Sequence, residues 1–485
     1  MKRTKVMFRK DWNGDVYALF PEIAATVGNP AHCLSYQHIG QHCAADYQLC
    51  IRASKPAKSA EYAELFAELT TIGYSLEVIQ RATAGMYRQR EAEAVALDVP
   101  ELGASVDAKT FRDAVHQVGA AVSSRNSLPI LGHVLIEPVC GGIKLTATDL
   151  ELGASVTIHA LTENFEPCTV PARLLADALK GASGCVSIRN EGDDVRLTIG
   201  GSEQVLKGIM AAEFPQLAEV EVKTWVKFPG LAGILKRLMP AVSDDEYRRA
   251  ILTGILIDGK NIVSTDTNRL FVYEHGMDLT DLHTWPQVTP EVEAVPGGRS
   301  GIVIPGTTCD KLMRMLGCKP DAEVEIGCSD TQVIFKVGDS VVRSRLIEGM
   351  FPNYERVIPD EAALTGAIEV IPGDMAEALK KVWPVARENS GRALFTVEEN
   401  DLLKLSASSS SCGEVSAMID GCRITGFPIG FQFAMSCNYL ADAVAVFKNS
   451  ELVTLSGSGA VNQFTVTSRQ DPDMLVVVMP MQIGY

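Results

Sequence analysis

The chain has 485 residues, of which 60 are acidic and 44 basic, giving a formal net charge of -16 at pH 7. Apolar residues make up 46% and charged residues 21%, a globular balance that excludes a mainly disordered or fibrous protein. At roughly 150 residues per domain the length suits about three domains.

No apolar run reaches the roughly 18 residues that a membrane helix needs. The opening MKRTKVMFRKDWNGD turns charged before an apolar signal core could form, which points to a cytoplasmic protein. Twelve cysteines lie scattered without a CxxC pair, and they read as reduced thiols. The acidic balance argues against tight, sequence-blind wrapping of DNA, because such binding is driven by neutralising phosphates. It leaves room for a local basic surface.

In chain order, residues 1–86 read as a small α+β domain. VMFRKDWNGDVYALFPEI is a β-hairpin turning at Asn13-Gly14. HCLSYQHIGQHC then gathers His32, Cys33, His38, His42 and Cys43. Two readings compete: a metal site, with His38 and His42 on one face if helical, or a polar loop carrying thiols. With no acidic HExxH partner, the loop is preferred and no metal is expected. A helix over Ser59 to Gly73 and a strand over Leu76 to Thr83 follow. Residues 87–104 read as a charged linker.

From Ser105 onward, short alternating strands such as DVRLTIGG dominate, with Val195, Leu197 and Ile199 inward. IKLTATDLEL, from Ile143 to Leu152, reads as another. Six helical segments interrupt them, beginning near Ser105, Thr169, Lys227, Val303, Val370 and Ala434. Each follows a strand, a proline or small polar cap, and an apolar 3/4 pattern. The spacing is a unit of roughly 65 residues repeated six times, the mark of a repeat architecture. TATD at Thr146 recurs as STDT at Ser264, and EFPQL at Glu213 recurs as MFPNY at Met350. These echoes group the units into three domains, taken as 105–221, 222–361 and 362–485. No glycine-rich phosphate loop, HExxH or nucleophile elbow appears.

The charge is unevenly spread. The six helical stretches carry a formal +6, which leaves -22 to the rest of the chain. Lys109, Arg112 and His116 share one helical face, opposite the apolar stripe of Phe111, Val115 and Val118. Lys311 and Arg314 repeat the pattern beside Leu312, Met315 and Leu316.

SSRNSLPILGHVLIEP (Ser123 to Pro138), VSTDTNRLFV (Val263 to Val272), GMFPNYERVIP (Gly349 to Pro359) and VVVMPM (Val476 to Met481) resemble the bacterial DNA polymerase III beta subunit, the DNA sliding clamp. The resemblance runs from about Ser105 to Tyr485, with its motifs in family order. It implies an α+β chain of three clamp domains, each with two helices backed by antiparallel sheets, two chains closing head to tail into a ring. Twelve helices spaced at ~10 Å would ring a hole about 28 Å clear, wide enough for a duplex.

The resemblance implies a non-catalytic processivity factor that needs no cofactor. Its partners would be encircled double-stranded DNA, the replicative polymerase, a clamp loader, repair polymerases and a second copy of the chain. The residues expected to face DNA are Lys109, Arg112, Arg125, Arg173, Lys180, Lys236, Arg237, Arg249, Lys311, Arg314, Lys380, Lys381 and Lys448. A pocket for a short hydrophobic partner peptide, carried over position by position, comprises Leu252, Thr265, Arg269, Leu270, Pro352, Arg356, Val357, Val477, Met479, Pro480 and Met481.

This sequence departs from the family in three places. Thr267-Asn268 stands where a Gly-His pair is usual, Gln482-Ile483 replaces a terminal Arg-Leu, and Ala250-Ile251 replaces an aromatic pair. Two rivals stay open: a clamp paralogue that binds partner peptides without supporting synthesis, and an enzyme using the N-terminal Cys/His cluster. SYQHIGQH itself resembles a stretch in small bacterial and mobile-element proteins, which implies no function.

Overall fold

The computed structural model describes residues 3–25, 31–37, 41–72, 74–96, 103–123, 128–217, 222, 225–245, 249–276, 301–316, 323–329 and 331–483. The chain forms two compact units. One is Met1–Glu219 with Ile334–Arg343; the other is Val220–Val333 with Ser344–Tyr485.

The first unit opens with the hairpin expected at Asn13-Gly14, formed by strands Thr4–Lys10 and Val16–Ala24. Asp11 Oδ1 ties the turn by accepting from the amides of Asn13 and Asp15, each at 2.9 Å. The antiparallel sheet runs in the order Gln41–Asp46, His32–Gln37, Val16–Ala24, Thr4–Lys10, Lys55–Pro56. Leu76–Val78 pairs parallel with Thr4–Lys10. Both faces are buried, which strand alternation permits. Val6, Phe8, Ala18, Phe20, Leu34 and Tyr36 pack against Leu65 and Leu69 of a helix over Ala63–Thr71. Met7, Tyr17, Leu19 and Cys33 pack beneath Cys50 and Ile51 of a helix over Tyr47–Ala53.

Five local expectations are corrected here. The segment from His32 to Cys43 is neither helix nor loop in its described residues but two paired strands, with Tyr36 opposite His42 and Ser35 opposite Cys43. Alternation puts His32 and His42 on one face and Cys33 and Cys43 on the other, separating the candidate nitrogen and sulfur ligands. Cys33 is fully buried and its thiol is pushed up to about 12 by desolvation. His38 lies outside the described residues. Cys43 is bonded to Cys140, so that pair is not reduced.

The supposed linker is a helix over Ala84–Ala96. It is rich in Ala, Glu, Gln and Arg, which are good helix formers, but has no apolar stripe to betray it. Its anchor is Arg90, 1% exposed, which donates to the Pro21 carbonyl at 3.0 Å and lies 5.1 Å from the rings of both Tyr47 and Tyr87. The strand expected to run to Thr83 ends at Val78, and the helix expected from Ser59 begins at Ala63.

We number these three helices α1 (Tyr47–Ala53), α2 (Ala63–Thr71) and α3 (Ala84–Ala96). The repeated part supplies α4 (Ala108–Gly119) and α5 (Ala172–Ala178) in the first unit. The second unit holds α6 (Leu231–Leu238), α7 (Gly306–Leu316), α8 (Pro372–Ala386) and α9 (Cys437–Val446). The starts of α4 to α9 keep the spacing read from the sequence. They pack in pairs, α4 with α5, α6 with α7, and α8 with α9. Asp107 caps α4 by accepting from the Thr110 amide at 2.9 Å, and Ser436 caps α9 from the Tyr439 amide. Phe111, Val115 and Val118 of α4 are buried as their periodicity requires.

Repetition reaches atomic detail in one turn. IKLTATDLEL is two strands, Gly142–Thr148 and Leu152–His159, not one. Between them Thr148 Oγ1 donates to the Leu152 carbonyl at 2.9 Å, and Asp149 Oδ1 accepts from the Glu151 and Leu152 amides. In the second unit Thr265 Oγ1 donates to the Arg269 carbonyl at 2.7 Å, and Asp266 Oδ1 accepts from Asn268 and Arg269. The true register therefore pairs Thr148-Asp149 with Thr265-Asp266. The following residue is left-handed in both copies, Leu150 at φ 80° and Thr267 at φ 79°. Neither is glycine, and an L side chain in that region costs ~1–2 kcal/mol.

In the second unit a nine-stranded sheet runs Ile302–Pro305, Gly254–Ile257, Asn261–Thr265, Arg269–Glu274, Met474–Val478, Phe464–Thr467, Val453–Gly457, Gly366–Val370, Arg423–Thr425. Met474–Val478 is thus an interior strand, paired on both sides. A four-stranded sheet, from Gly413–Ile419 to Gln432–Ser436, backs α8.

Replacing Leu150 or Thr267 with glycine should raise stability by about 0.5–1 kcal/mol each, the strain removed less the extra chain entropy glycine loses. The check is the urea midpoint at constant m-value; alanine at either position should give no such gain.

Candidate functional site

Strand register builds a pocket. Thr265 lies opposite Leu270, and Leu270 lies opposite Val477, so three residues from three neighbouring strands form one rung. Leu252 enters from a 3-10 turn over Ala250–Thr253, and Met479 continues the last strand, its amide donating to the Asn268 carbonyl at 2.9 Å. A second 3-10 turn, Tyr354–Val357, closes the side. Tyr354 fixes it by donating to Asp258 Oδ2 at 2.6 Å while accepting from Asn261 Nδ2 at 2.9 Å. Together Arg249, Leu252, Thr265, Thr267, Arg269, Leu270, Pro352, Asn353, Tyr354, Val357, Val477 and Met479 enclose about 210 Å³.

Its floor is the domain core: Leu252, Leu270, Tyr354 and Val477 are all buried within one apolar cluster. Its exposed rim combines Val357 and Met479, 44% and 39% accessible, with the polar side chains of Arg249 and Thr267. Such a floor and rim suit a hydrophobic side chain, and methionine adapts to varied shapes.

One wall is electrostatically braced. Arg269 donates from Nε to Asp266 Oδ2 at 3.0 Å and from Nη1 to Asp442 of α9 at 2.5 Å, and its Nη2 reaches the Pro240 carbonyl. The guanidinium also lies 4.6 Å from the Tyr439 ring. With its side chain only 10% exposed, Arg269 is a positioning residue that joins the pocket to α9.

The structure brings together most of the sequence-derived pocket: Leu252, Thr265, Arg269, Leu270, Pro352, Val357, Val477 and Met479. Three members do not line it. Arg356 points to solvent from the same 3-10 turn, Pro480 lies past the last strand, and Met481 turns away as its amide donates to the Ala434 carbonyl at 2.7 Å. Arg249, expected to face DNA, lines the pocket wall. Thr267, Asn353 and Tyr354 were missed. The repeated Phe-Pro motif that contains Asn353 and Tyr354 was the available signal.

The cationic candidates sort by partner. Lys109, Arg173, Lys236, Lys380 and Lys448 are exposed on or beside their helices, without an ion pair among the described residues. Lys180, Arg314 and Lys381 are also exposed, but each pairs within its own helix or just past it, with Asp177 at 2.7 Å, Asp310 at 2.5 Å and Glu377 at 2.7 Å. Such surface pairs contribute little to stability and leave the charge free to exchange partners. Arg112 is half-buried and donates to the Ala182 carbonyl at 3.1 Å, and Lys311 is half-buried on α7. Arg237 is committed elsewhere: it pairs with Asp471 and lies 5.6 Å from the Tyr273 ring. Arg125 falls outside the described residues. Among the described residues no cluster of three or more His, Cys, Asp or Glu side chains could hold a metal, and no helix is long and apolar enough to cross a membrane.

Family models of the DNA polymerase III beta subunit match along the chain in order: the N-terminal domain at residues 104–218, the central domain at 228–353 and the C-terminal domain at 355–482. Among curated proteins, the beta sliding clamp of Synechocystis sp. is 30% identical over 393 residues, covering 76% of this chain and 95% of that protein. That of Synechococcus elongatus is 27% identical over 380 residues, covering 76% and 93%. Among solved structures, a sliding clamp from Bartonella birtlesii bound to griselimycin matches with a TM-score of 0.69 at 24% identity, covering 79% of this chain and all of that one. Caulobacter crescentus pol III beta matches with a TM-score of 0.68 at 20% identity over the same shares. The helix pairs, the repeated Thr-Asp turn and the three ordered matches lead to one conclusion: this chain belongs to the DNA polymerase III beta subunit family.

Proposed function

We propose that the protein is a DNA sliding clamp that encircles duplex DNA and tethers the replicative polymerase to its template. It makes and breaks no bonds and is not an enzyme. The observation that carries this reading is the threefold helix pair, bearing exposed lysines and arginines in a protein whose net charge is -16. Cations confined to helices attract phosphates without reading bases, so the DNA is held loosely and in any register. The acidic remainder repels DNA elsewhere.

In this reading two copies close the ring, with residues 105–221, 222–361 and 362–485 as its three domains per chain and the N-terminal sheet with α1 to α3 as an accessory domain. Lys109, Arg173, Lys236, Arg314, Lys380 and Lys448 are the leading DNA-facing residues. The 210 Å³ pocket takes the anchor side chains of a short hydrophobic peptide presented in turn by polymerase, clamp loader and repair polymerases. The setting is the cytoplasm of a bacterial cell.

Two experiments test the reading. Met479→Lys with Val357→Lys places charge on the exposed pocket rim and should weaken a fluorescent hydrophobic peptide at least tenfold by anisotropy, about 1.4 kcal/mol, while leaving the melting temperature unchanged. Reversing Lys109, Lys236, Lys380 and Lys448 to Glu should shorten polymerase products on a primed circle in the presence of a bacterial clamp loader, with the circular dichroism of the native protein retained. Unchanged product length would remove the cationic helices from the mechanism. Peptide binding by the unaltered protein without stimulated synthesis would identify the scaffold paralogue instead.

A further inference from the structure

The first unit contains a covalent joint that sliding does not require. Cys43 lies on Gln41–Asp46, the edge strand of the N-terminal sheet, and Cys140 sits in the turn between His133–Val139 and Gly142–Thr148 of the first repeated domain. Their sulfurs are bonded across 97 residues of sequence, with the Cα atoms 5.3 Å apart.

The backbone around the bond is shaped for close approach. Gly141 is left-handed at φ 75°, and a Cβ there would come within 2.1 Å of the His42 carbonyl oxygen. Only glycine lets the turn tip sit against the strand beside Cys43. The His42 ring is in turn fixed by the Tyr74 hydroxyl at 2.9 Å and packs against Tyr36 at 4.7 Å. An open cleft of about 470 Å³ is lined from one side by Ile23 and Ala24 and from the other by Ser105, Asp107 and His159.

The pair also differs chemically from the deeply buried cysteines. Cys33, Cys168, Cys309 and Cys328 are buried, with thiols pushed up to about 12 by desolvation, and are inert. Cys140 is an exposed residue at a turn tip, the side from which a thiolate in solution would approach the bond.

We propose that Cys43–Cys140 is a redox-operated clasp that locks the N-terminal domain onto the first repeated domain and is opened by a dithiol reductant. A reductant thiolate attacks Cys140 Sγ, forming a mixed disulfide and expelling the Cys43 thiolate. The second reductant thiol then attacks its own partner sulfur and releases Cys140. The reductant leaves as its disulfide, the protein gains two electrons, and the two protons from the reductant end on Cys43 and Cys140. Opening releases the edge strand Gln41–Asp46 from the turn at Cys140 without touching the pocket.

The test uses the full chain, unaltered and as Cys43→Ser and Cys140→Ser, with dithiothreitol as the probe. Air-equilibrated protein should yield a peptide cross-linked through Cys43 and Cys140, lost on reduction with the appearance of two further alkylatable thiols. Reduction should raise amide hydrogen exchange in Gln41–Asp46 and Val139–Gly142 by about tenfold while leaving α8 and α9 unchanged. Both serine variants should show the raised exchange with or without dithiothreitol. Absence of the cross-link under oxidising buffer would overturn the proposal. So would a cross-link whose reduction leaves exchange in both segments unaltered in the unsubstituted protein, a readout that does not depend on how the serine variants fold.

Discussion

The second unit depends on one strand finding its place between two others. Met474–Val478 pairs with Arg269–Glu274 on one side and Phe464–Thr467 on the other, making a single sheet of what would otherwise be two. Because side chains alternate along a strand, that register decides which face Val477 takes. A slip of one residue would send Val477 away from Leu270 and dissolve the pocket floor. Arg269, at the start of the neighbouring strand, is braced against Asp266 and Asp442, so the same pairing that forms the pocket ties it to α9.

The helices show the complementary economy of an acidic protein. Each buries an apolar stripe against its partner helix and a sheet, as Phe111, Val115 and Val118 do in α4. What remains for solvent is a polar face, and there the sequence places Lys109, Lys236, Lys380 and Lys448. Pairing of Arg314 with Asp310 and of Lys381 with Glu377 tempers the charge without cancelling its reach. A ring that must move along DNA is better served by such weak, exchangeable contacts than by deep ion pairs.

The repeat was legible because its signals are local. Capping residues, prolines and apolar 3/4 patterns lie within one helix, and α4 to α9 form where they occur. The pocket was legible by resemblance in its strand residues, Thr265, Leu270 and Val477, since register follows from the alternating pattern. Non-local chemistry escaped. Arg237 meets Asp471 across 234 residues, and Cys43 meets Cys140 across 97, with no spacing rule to announce either. α3 escaped for another reason: its anchor is a buried arginine between two tyrosines, where a reader of patterns looks for leucines. Thr267 shows the limit of motif matching, for it takes the left-handed conformation that the family fills with glycine.

The topological claim is tested most directly by cutting the DNA. Clamp loaded onto a nicked circle by a bacterial clamp loader, then isolated in salt that strips ordinary electrostatic binders, should stay with the circle and run off once a restriction enzyme opens it. If the protein remained on linear DNA as long as on the circle, its hold would be adhesion and not encirclement, and the account would fall.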